Sequence, residues 1–214
     1  MDLQKELSAV EQMVRDKTPP YVMPTIEASI HAVKESGLES RALQPGESIT
    51  DFELPNATGV MVKSLELRTR GPLLIVFYRG GWCPFCNLTL QAFQEWHSEI
   101  ANRGVTLVAI SPQTPDHSLT LQEKHSLRFP VLSDSGNKVA QQFGIVFELD
   151  RDLRVVQEQF GVGIPSFNGD HSFQLPVPAV FLVSKDGKVL DSFVEVNYMK
   201  RLAPETAISW IDKI

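Results

Sequence analysis

The feature that most constrains the fold is a pair of apolar runs, Leu73–Phe77 and Val105–Ile110, the second interrupted only by Thr106, with a helical pattern between them. A continuous apolar run is typical of a strand that is covered on both faces of a parallel sheet. Between the two runs, apolar side chains recur at helical spacing, at Phe85, Leu88, Ala92 and Trp96. A strand, a helix and a strand within about 40 residues form a βαβ unit with a right-handed crossover. The sequence therefore predicts an α/β fold built around parallel strands.

The C-terminal part of the chain predicts a different kind of pairing. Two predicted strands, Val177–Val183 and Lys188–Val196, flank Asp186-Gly187, which is a strong signal for an antiparallel hairpin. A loop is predicted before this hairpin, from Gly163 to Gln174, and a last helix begins at Pro204. We therefore expect a central mixed sheet that is flanked by helices.

Two amphipathic helices are predicted ahead of this domain, over residues 2–17 and residues 25–36. The first has an apolar stripe at Leu3, Leu7, Val10 and Val14. We interpret residues 1–42 as an N-terminal helical extension and residues 43–214 as the main domain. The extension is either a lid that packs on the main domain or an arm that forms a homodimer. The two stripes do not separate these alternatives, and we slightly favour the arm.

Composition excludes several classes of protein. The 214 residues include 26 acidic and 20 basic side chains, a formal charge of −6. An acidic chain does not offer the basic face that nucleic acid requires. No apolar run approaches the ~20 residues that span a bilayer. The first residues lack the basic start and apolar stretch of a signal peptide. We therefore expect a cytoplasmic protein that binds neither membrane nor nucleic acid.

The only two cysteines form the motif Cys83-Pro84-Phe85-Cys86, where the predicted strand turns into the predicted helix. The first amide N–H groups of a helix lack intrahelical partners, and the helix N-terminus has a partial positive charge. Both effects lower the pKa of a cysteine thiol there. Arg79, four residues before Cys83, is expected to lower it further. The spacing also places the second sulfur one helical turn away, which permits a disulfide.

Two other interpretations of the cysteine pair, a zinc site and an inert buried pair, have less support in the sequence. A zinc site needs a second pair of ligands, and the histidines lie apart at positions 31, 97, 117, 125 and 171. An inert buried pair is less expected at a strand-to-helix turn than inside an element. A Cys-X-X-Cys motif beside a βαβ pattern is a recognised redox combination. No glycine-rich dinucleotide fingerprint is present, so we expect no cofactor and no metal.

At this point the residues resemble a known superfamily. The segment Tyr78–Cys86 resembles the active-site turn of thioredoxin-fold proteins, and it is most similar to the peroxiredoxin-like branch of the alkyl hydroperoxide reductase and thiol-specific antioxidant (AhpC/TSA) family. Further similar segments are Pro45–Leu54, Val108–Pro112, Phe129–Asp134 and Val177–Phe181. The resemblance covers about residues 43–214. It implies a thioredoxin-like fold and a thiol-dependent peroxidase for hydrogen peroxide or organic hydroperoxides, recycled by thioredoxin or a similar thiol donor.

The motif also departs from the family pattern. Peroxiredoxins usually have Thr or Ser three residues before the peroxide-attacking cysteine and Pro seven residues before it. If Cys86 takes the place of that cysteine, Cys83 stands in the Thr position and Arg79 in the Pro position. Pro178 replaces the family's distant arginine. Thioredoxins have a cis proline at the equivalent place, so Pro178 is our candidate for a cis peptide bond.

Two assignments of roles follow from the resemblance. In the peroxiredoxin assignment, Cys86 attacks the peroxide and Cys83 resolves the sulfenic acid as a disulfide. In the thioredoxin assignment, Cys83 is the nucleophile and Cys86 resolves. We favour the first, with Arg79 stabilising the thiolate unless it is an ordinary solvated loop arginine. Arg201 is a weaker candidate for that task, and Trp82 is expected to shield the sulfur.

Two rival functions remain open. A protein disulfide oxidoreductase would use the same dithiol on protein substrates. A redox-sensing interaction protein would use the Cys83–Cys86 state to control partner binding through the N-terminal extension. An α/β fold hosts many functions, so the fold alone does not separate these rivals.

Overall fold

The computed structural model describes residues 1–214. A five-stranded sheet in the order β5-β4-β3-β8-β9 forms its centre, and β1-β2 and β6-β7 form two small antiparallel pairs. The strands are β1 Glu53–Pro55, β2 Met61–Lys63, β3 Leu73–Phe77, β4 Thr106–Ser111, β5 Val131–Ser133, β6 Val146–Glu148, β7 Gln174–Pro176, β8 Ala179–Val183 and β9 Val189–Val194. The helices are α1 Leu3–Lys17, α2 Val22–Glu35, α3 Leu38–Arg41, α4 Ser64–Arg70, α5 Pro84–Asn102, α6 Pro115–Lys124, α7 Lys138–Gln142, α8 Arg151–Gln159, α9 Ile164–Asn168 and α10 Pro204–Ile211.

The order of the strands confirms the predicted mixed sheet. Strand β3 pairs in parallel with β4, and β4 pairs in parallel with β5. On its other side β3 pairs antiparallel with β8, which continues through the Asp186-Gly187 turn into β9. Helix α5 connects β3 to β4, so the predicted βαβ unit is present.

Both faces of the sheet are covered, which explains why β3 is apolar at every position. Leu74 and Val76 point into a large core that is shared with α1, α2, α5, α8 and α10. Leu73, Ile75 and Phe77 point into a second core on the opposite face, which includes residues of β1 and α7. Successive side chains of a strand alternate between faces, so one run of five apolar residues serves both cores.

The two N-terminal helices are part of the large core. Their apolar side chains Leu3, Leu7, Val22, Met23 and Ile26 are all less than 10% exposed and belong to the same cluster as the sheet. Helix α1 packs on α5, and α2 packs on α8. These stripes pack within the chain itself, with Leu3 and Leu7 buried and Val10 and Val14 partly buried, so the structure does not support the preference for a dimer arm. The packing agrees with the alternative of a lid.

Some short elements differ from the prediction. The predicted loop Gly163–Gln174 contains α9 and leads into β7, which pairs with β6. Strand β2, which pairs with β1, and helix α4 after it were not predicted either. Elements of three to seven residues contain too little periodicity to separate them from loops. No helix of the structure is both long enough and apolar enough to cross a lipid bilayer.

Candidate active site

The two cysteines lie where the sequence places them, at the turn from β3 into α5. Cys83 has an extended backbone and is the N-cap residue of the helix. Pro84 follows at the first helical position, where its missing N–H is not needed. Cys86 is therefore in the first helical turn, beside the positive end of the helix.

Hydrogen bonds from outside the turn hold it in place. The Gly81 amide donates to Gln113 Oε1 at 2.8 Å, and Asn87 Nδ2 donates to the Gly81 carbonyl at 3.0 Å. Gln113 Nε2 donates in turn to the Tyr78 hydroxyl at 3.1 Å. Gln113 is fully buried, and its hydrogen bonds fix the backbone between β3 and α5. The sequence analysis did not identify Gln113, which follows β4 and contacts the turn only through the fold.

Both sulfurs are buried and both cysteines are free thiols in this structure. They face different spaces. Cys83 lines a cavity of about 270 Å3, whereas Cys86 borders a separate void of about 10 Å3 beside Tyr78 and Pro178. A space of that size holds about one water molecule. The larger cavity therefore gives access to Cys83 first, with Cys86 behind it.

Arg201 is the side chain that contacts Cys86 directly. Its Nη2 donates to Cys86 Sγ at 3.4 Å, and the side chain is buried. Its other nitrogen, Nη1, donates to the carbonyl oxygens of Tyr198 and Lys200. These bonds fix the guanidinium beside the sulfur. The residue that the sequence ranked as the weaker candidate therefore makes the closer contact.

Arg79 lies near the same sulfurs but has a different environment. It is 1% exposed, so it is not a solvated loop arginine. Its guanidinium carbon lies 4.0 Å from the ring centre of Tyr198 and 4.9 Å from that of Trp82. Such cation–π contacts are worth about 2 kcal/mol when they are desolvated. Its Nε and Nη2 atoms are buried without a hydrogen-bond partner.

The two thiols have opposite tendencies to ionise. Burial and the hydrogen bond to Cys86 raise the pKa of the Cys83 thiol well above its ordinary value. Burial also opposes ionisation of Cys86, but the hydrogen bond from Cys83, the charge of Arg201 and the backbone and charge of Arg79 outweigh it. The pKa of Cys86 is therefore held well below its ordinary value. The surroundings of the dithiol therefore favour ionisation of Cys86 over ionisation of Cys83.

Trp82 and Pro178 also lie beside the dithiol. Trp82 is half-buried and lines the 270 Å3 cavity, and its Nε1 is buried without a partner. Pro178 is buried and borders the small void beside Cys86. The prediction of a cis bond at Pro178 is wrong, because the structure contains no cis peptide bond. The trans form is the more stable one for an X–Pro bond unless tertiary contacts require the cis form.

The cavity beside Cys83 is mostly apolar and has walls from distant parts of the chain. Helices α1 and α2 supply one side, and α8 with the residues after it supplies another. The turn before α5 and Tyr198 complete it, and Arg79 is its only charged lining residue. The N-terminal helices thus form part of the site itself.

A family model described as the AhpC/TSA family matches residues 45–192. The chain belongs to the AhpC/TSA family. Helices α1 and α2 lie outside the matched residues, so the family match does not include the cavity wall that they form.

The chain is also similar to individual peroxiredoxins and to a solved peroxidoxin structure. The chain is 30% identical over 103 residues to a putative peroxiredoxin of Mycobacterium tuberculosis, covering 48% of this chain and 67% of that protein. It is 27% identical over 159 residues to peroxiredoxin Bcp of Escherichia coli, covering 73% of this chain and 90% of that protein. The crystal structure of peroxidoxin BcpB from Mycobacterium tuberculosis superimposes with a TM-score of 0.64 at 23% identity, covering 80% of this chain and 98% of the other. The thioredoxin-like fold that the sequence predicted is confirmed.

In the AhpC/TSA pattern to which the sequence is similar, a distant arginine stands where this chain has Pro178. The structure places a guanidinium at the sulfur by another route, because Arg201 reaches Cys86 from the segment between β9 and α10. The position is 115 residues from Cys86 in sequence. The sequence analysis names Arg201 as a candidate for this task, but at that separation only the fold shows the contact.

Proposed function

We propose that this chain is a thiol-dependent peroxidase that reduces hydrogen peroxide or organic hydroperoxides with Cys86 as the attacking thiolate. The observation that supports this assignment most is the contact of Arg201 Nη2 with Cys86 Sγ at 3.4 Å. It stabilises a thiolate at a buried sulfur, where an isolated charge would be costly. The opposite assignment requires ionisation of Cys83, whose pKa is raised by burial and by the hydrogen bond to Cys86.

The catalytic cycle uses both cysteines. The Cys86 thiolate attacks the terminal oxygen of the hydroperoxide, the O–O bond breaks, and the released alkoxide takes a proton from solvent. Cys86 is then a sulfenic acid. The Cys83 sulfur attacks the Cys86 sulfur, water leaves, and the Cys83–Cys86 disulfide forms. Two electrons from an external thiol donor restore the dithiol, and the identity of this donor, thioredoxin or a similar thiol, is part of the proposal.

Arg79 and Trp82 have supporting roles in this proposal. Arg79 adds a second positive charge close to the thiolate, and its unpaired Nε and Nη2 can donate to a peroxide oxygen in the cavity. Such preorganised donors stabilise the charge that develops on the departing oxygen. Trp82 stacks on Arg79 and keeps water from one side of Cys83.

The cavity bears on the choice of peroxide. An apolar cavity of about 150 Å3 holds a benzene molecule, so one of about 270 Å3 has room for about ten non-hydrogen atoms. Its lining is mostly apolar. A compact organic hydroperoxide fits such a space, and it reaches Cys86 by displacing the Cys83 side chain from its path. We therefore propose that organic hydroperoxides are reduced at least as well as hydrogen peroxide.

Stopped-flow tryptophan fluorescence of the reduced protein tests the proposal, because Trp82 adjoins the dithiol. We expect a rapid change with hydrogen peroxide and with cumene hydroperoxide, and we expect Cys83→Ser to retain the first phase. Reaction no faster than that of free cysteine would refute a peroxidase. Reduction of insulin disulfides in that case would support a disulfide oxidoreductase instead.

The cellular setting belongs to the proposal as well. We propose a cytoplasmic enzyme, because the cycle needs a compartment in which Cys83 and Cys86 are returned to free thiols. A homodimer stays a prediction that sedimentation of the reduced and oxidised protein would test.

A further inference from the structure

The dithiol site contains more buried positive charge than negative charge. Arg79 is 1% exposed and Arg201 is 7% exposed, and neither forms a salt bridge with a carboxylate. The cavity lining includes no Asp or Glu. The only anion available to these two guanidinium groups is the Cys86 thiolate. Buried charges are normally paired, so this imbalance requires an explanation.

Oxidation increases the imbalance. When the Cys83–Cys86 disulfide forms, the thiolate charge disappears, and two buried guanidinium groups remain without a counter-ion. Arg201 still has the carbonyl oxygens of Tyr198 and Lys200 as acceptors. Arg79 has none for its buried Nε and Nη2, and it lines the cavity that leads to Cys83. The oxidised site therefore attracts an anion more strongly than the reduced site does.

We propose that the disulfide form binds a low-molecular-weight thiol that bears a carboxylate, with the carboxylate on Arg79, and that this thiol is the reductant. The inference rests on the proposed function, because it requires the Cys83–Cys86 disulfide. It names a small carboxylate-bearing thiol, rather than a protein, as the electron donor. The apolar walls contributed by α1, α2 and α8 accept the uncharged part of the molecule.

The chemistry of reduction agrees with this geometry. The thiolate of the small molecule attacks the Sγ atom of Cys83, the cysteine that lines the cavity, and the S–S bond breaks. Cys86 leaves as a thiolate and is stabilised there by Arg201. A leaving sulfur of low pKa departs faster. A second thiolate then attacks the small-molecule sulfur of the mixed disulfide, which releases a small-molecule disulfide and the Cys83 thiolate, and the latter takes a proton.

The size of the cavity favours a small reductant over a folded one. Cys83 is 1% exposed, and Leu7 and Val22 bury α1 and α2 in the core rather than leaving these helices free to open. A protein thiol would need to approach Cys83 to bonding distance past these helices. A molecule of about ten non-hydrogen atoms fits the volume of the cavity beside Cys83.

The test starts from the full-length protein oxidised to the disulfide with diamide, so it does not depend on peroxide. Its reduction is followed by alkylation and mass spectrometry with 3-mercaptopropionate, 2-mercaptoethanol or cysteamine. Each rate is divided by the rate of the same thiol on a small model disulfide. We expect the anionic thiol to exceed the neutral one by about tenfold, which corresponds to about 1.4 kcal/mol, and the cationic thiol to be slowest.

Two variants locate the effect. Arg79→Gln is expected to abolish the preference for the anionic thiol. The preference is measured as the ratio of the normalised rates of the anionic and the neutral thiol, so a general change in the reactivity of the disulfide does not alter it. Arg154→Gln is the matched control, because Arg154 also stacks on an aromatic ring, that of Phe173, but does not line the cavity. It should keep the full preference.

Three outcomes would overturn the proposal. They are equal normalised rates for the three thiols, a preference that survives in Arg79→Gln, and reduction by thioredoxin that exceeds that by 3-mercaptopropionate by orders of magnitude at equal concentration. Failure of diamide to form the disulfide would instead refute the cysteine cycle of the proposed function. A peroxide assay on the same preparation distinguishes failure of the proposed reductant from failure of the proposed peroxidase function.

Discussion

Replacing Arg201 with glutamine removes the guanidinium that donates to Cys86 Sγ at 3.4 Å. Two unit charges at this distance attract each other by about 5 kcal/mol at an effective dielectric constant of ~20. The net value is smaller because both groups lose hydration, and hydrogen bonds to charged groups typically contribute about 1.5–3 kcal/mol. Since one pKa unit is about 1.4 kcal/mol, the substitution should shift the equilibrium of Cys86 about 10- to 150-fold toward the thiol.

The assay is a pH titration of the thiolate by its ultraviolet absorbance, in a Cys83→Ser background that leaves one sulfur to observe. We expect Arg201→Gln to move the midpoint upward, toward the ordinary value of a cysteine, and Arg201→Lys to move it less because the charge is retained. Arg154→Gln controls for the loss of an arginine elsewhere. An unchanged midpoint in Arg201→Gln would refute the electrostatic account of Cys86.

Further predictions concern pH and stability. Because the folded-state pKa of Cys86 is lowered, the rate constant with peroxide should be flat above that pKa and fall as the pH drops through it; a rate that keeps rising into the alkaline range of free cysteine would contradict this. Leu7→Ala should cost about 2–5 kcal/mol in urea unfolding because Leu7 is buried in the main core, whereas a free arm would lose almost nothing. Gly144→Ala should cost at least ~1–2 kcal/mol, because Gly144 has a φ of +71° and a Cβ would meet the Arg41 carbonyl; unchanged stability would refute that contact. Asp134→Ala should cost about 1–2 kcal/mol by leaving the first amides of α7 without an acceptor, and Asp134→Asn should cost less.

The local chemistry of the chain predicts the central fold because the signals are strong and close in sequence. The apolar run of β3, the proline at the start of α5 and the Asp186-Gly187 turn each determine their own element. The strand-to-helix turn places Cys83 and Cys86 without any long-range information. Short elements such as α9 and β7 escape prediction because they depend on partners elsewhere in the chain.

The electrostatics of the site could be predicted only in part. Arg79 is four residues from Cys83, so its proximity follows from the sequence, but its stacking on Tyr198 does not. The contact of Arg201 with Cys86 and that of Gln113 with Gly81 depend on tertiary packing. The same is true of the cavity wall from α1 and α2, whose amphipathic stripes indicate burial but not the surface that they cover.

The central claim is that Cys86 attacks the peroxide, and locating the oxygen after a single turnover tests it most directly. Reduced Cys83→Ser and Cys86→Ser are each mixed with one equivalent of hydrogen peroxide, and the sulfenic acid is trapped with dimedone and located by mass spectrometry. The account predicts rapid labelling at Cys86 in Cys83→Ser and labelling no faster than that of free cysteine in Cys86→Ser. Rapid labelling of Cys83 in Cys86→Ser, with Cys83→Ser inert, would contradict it.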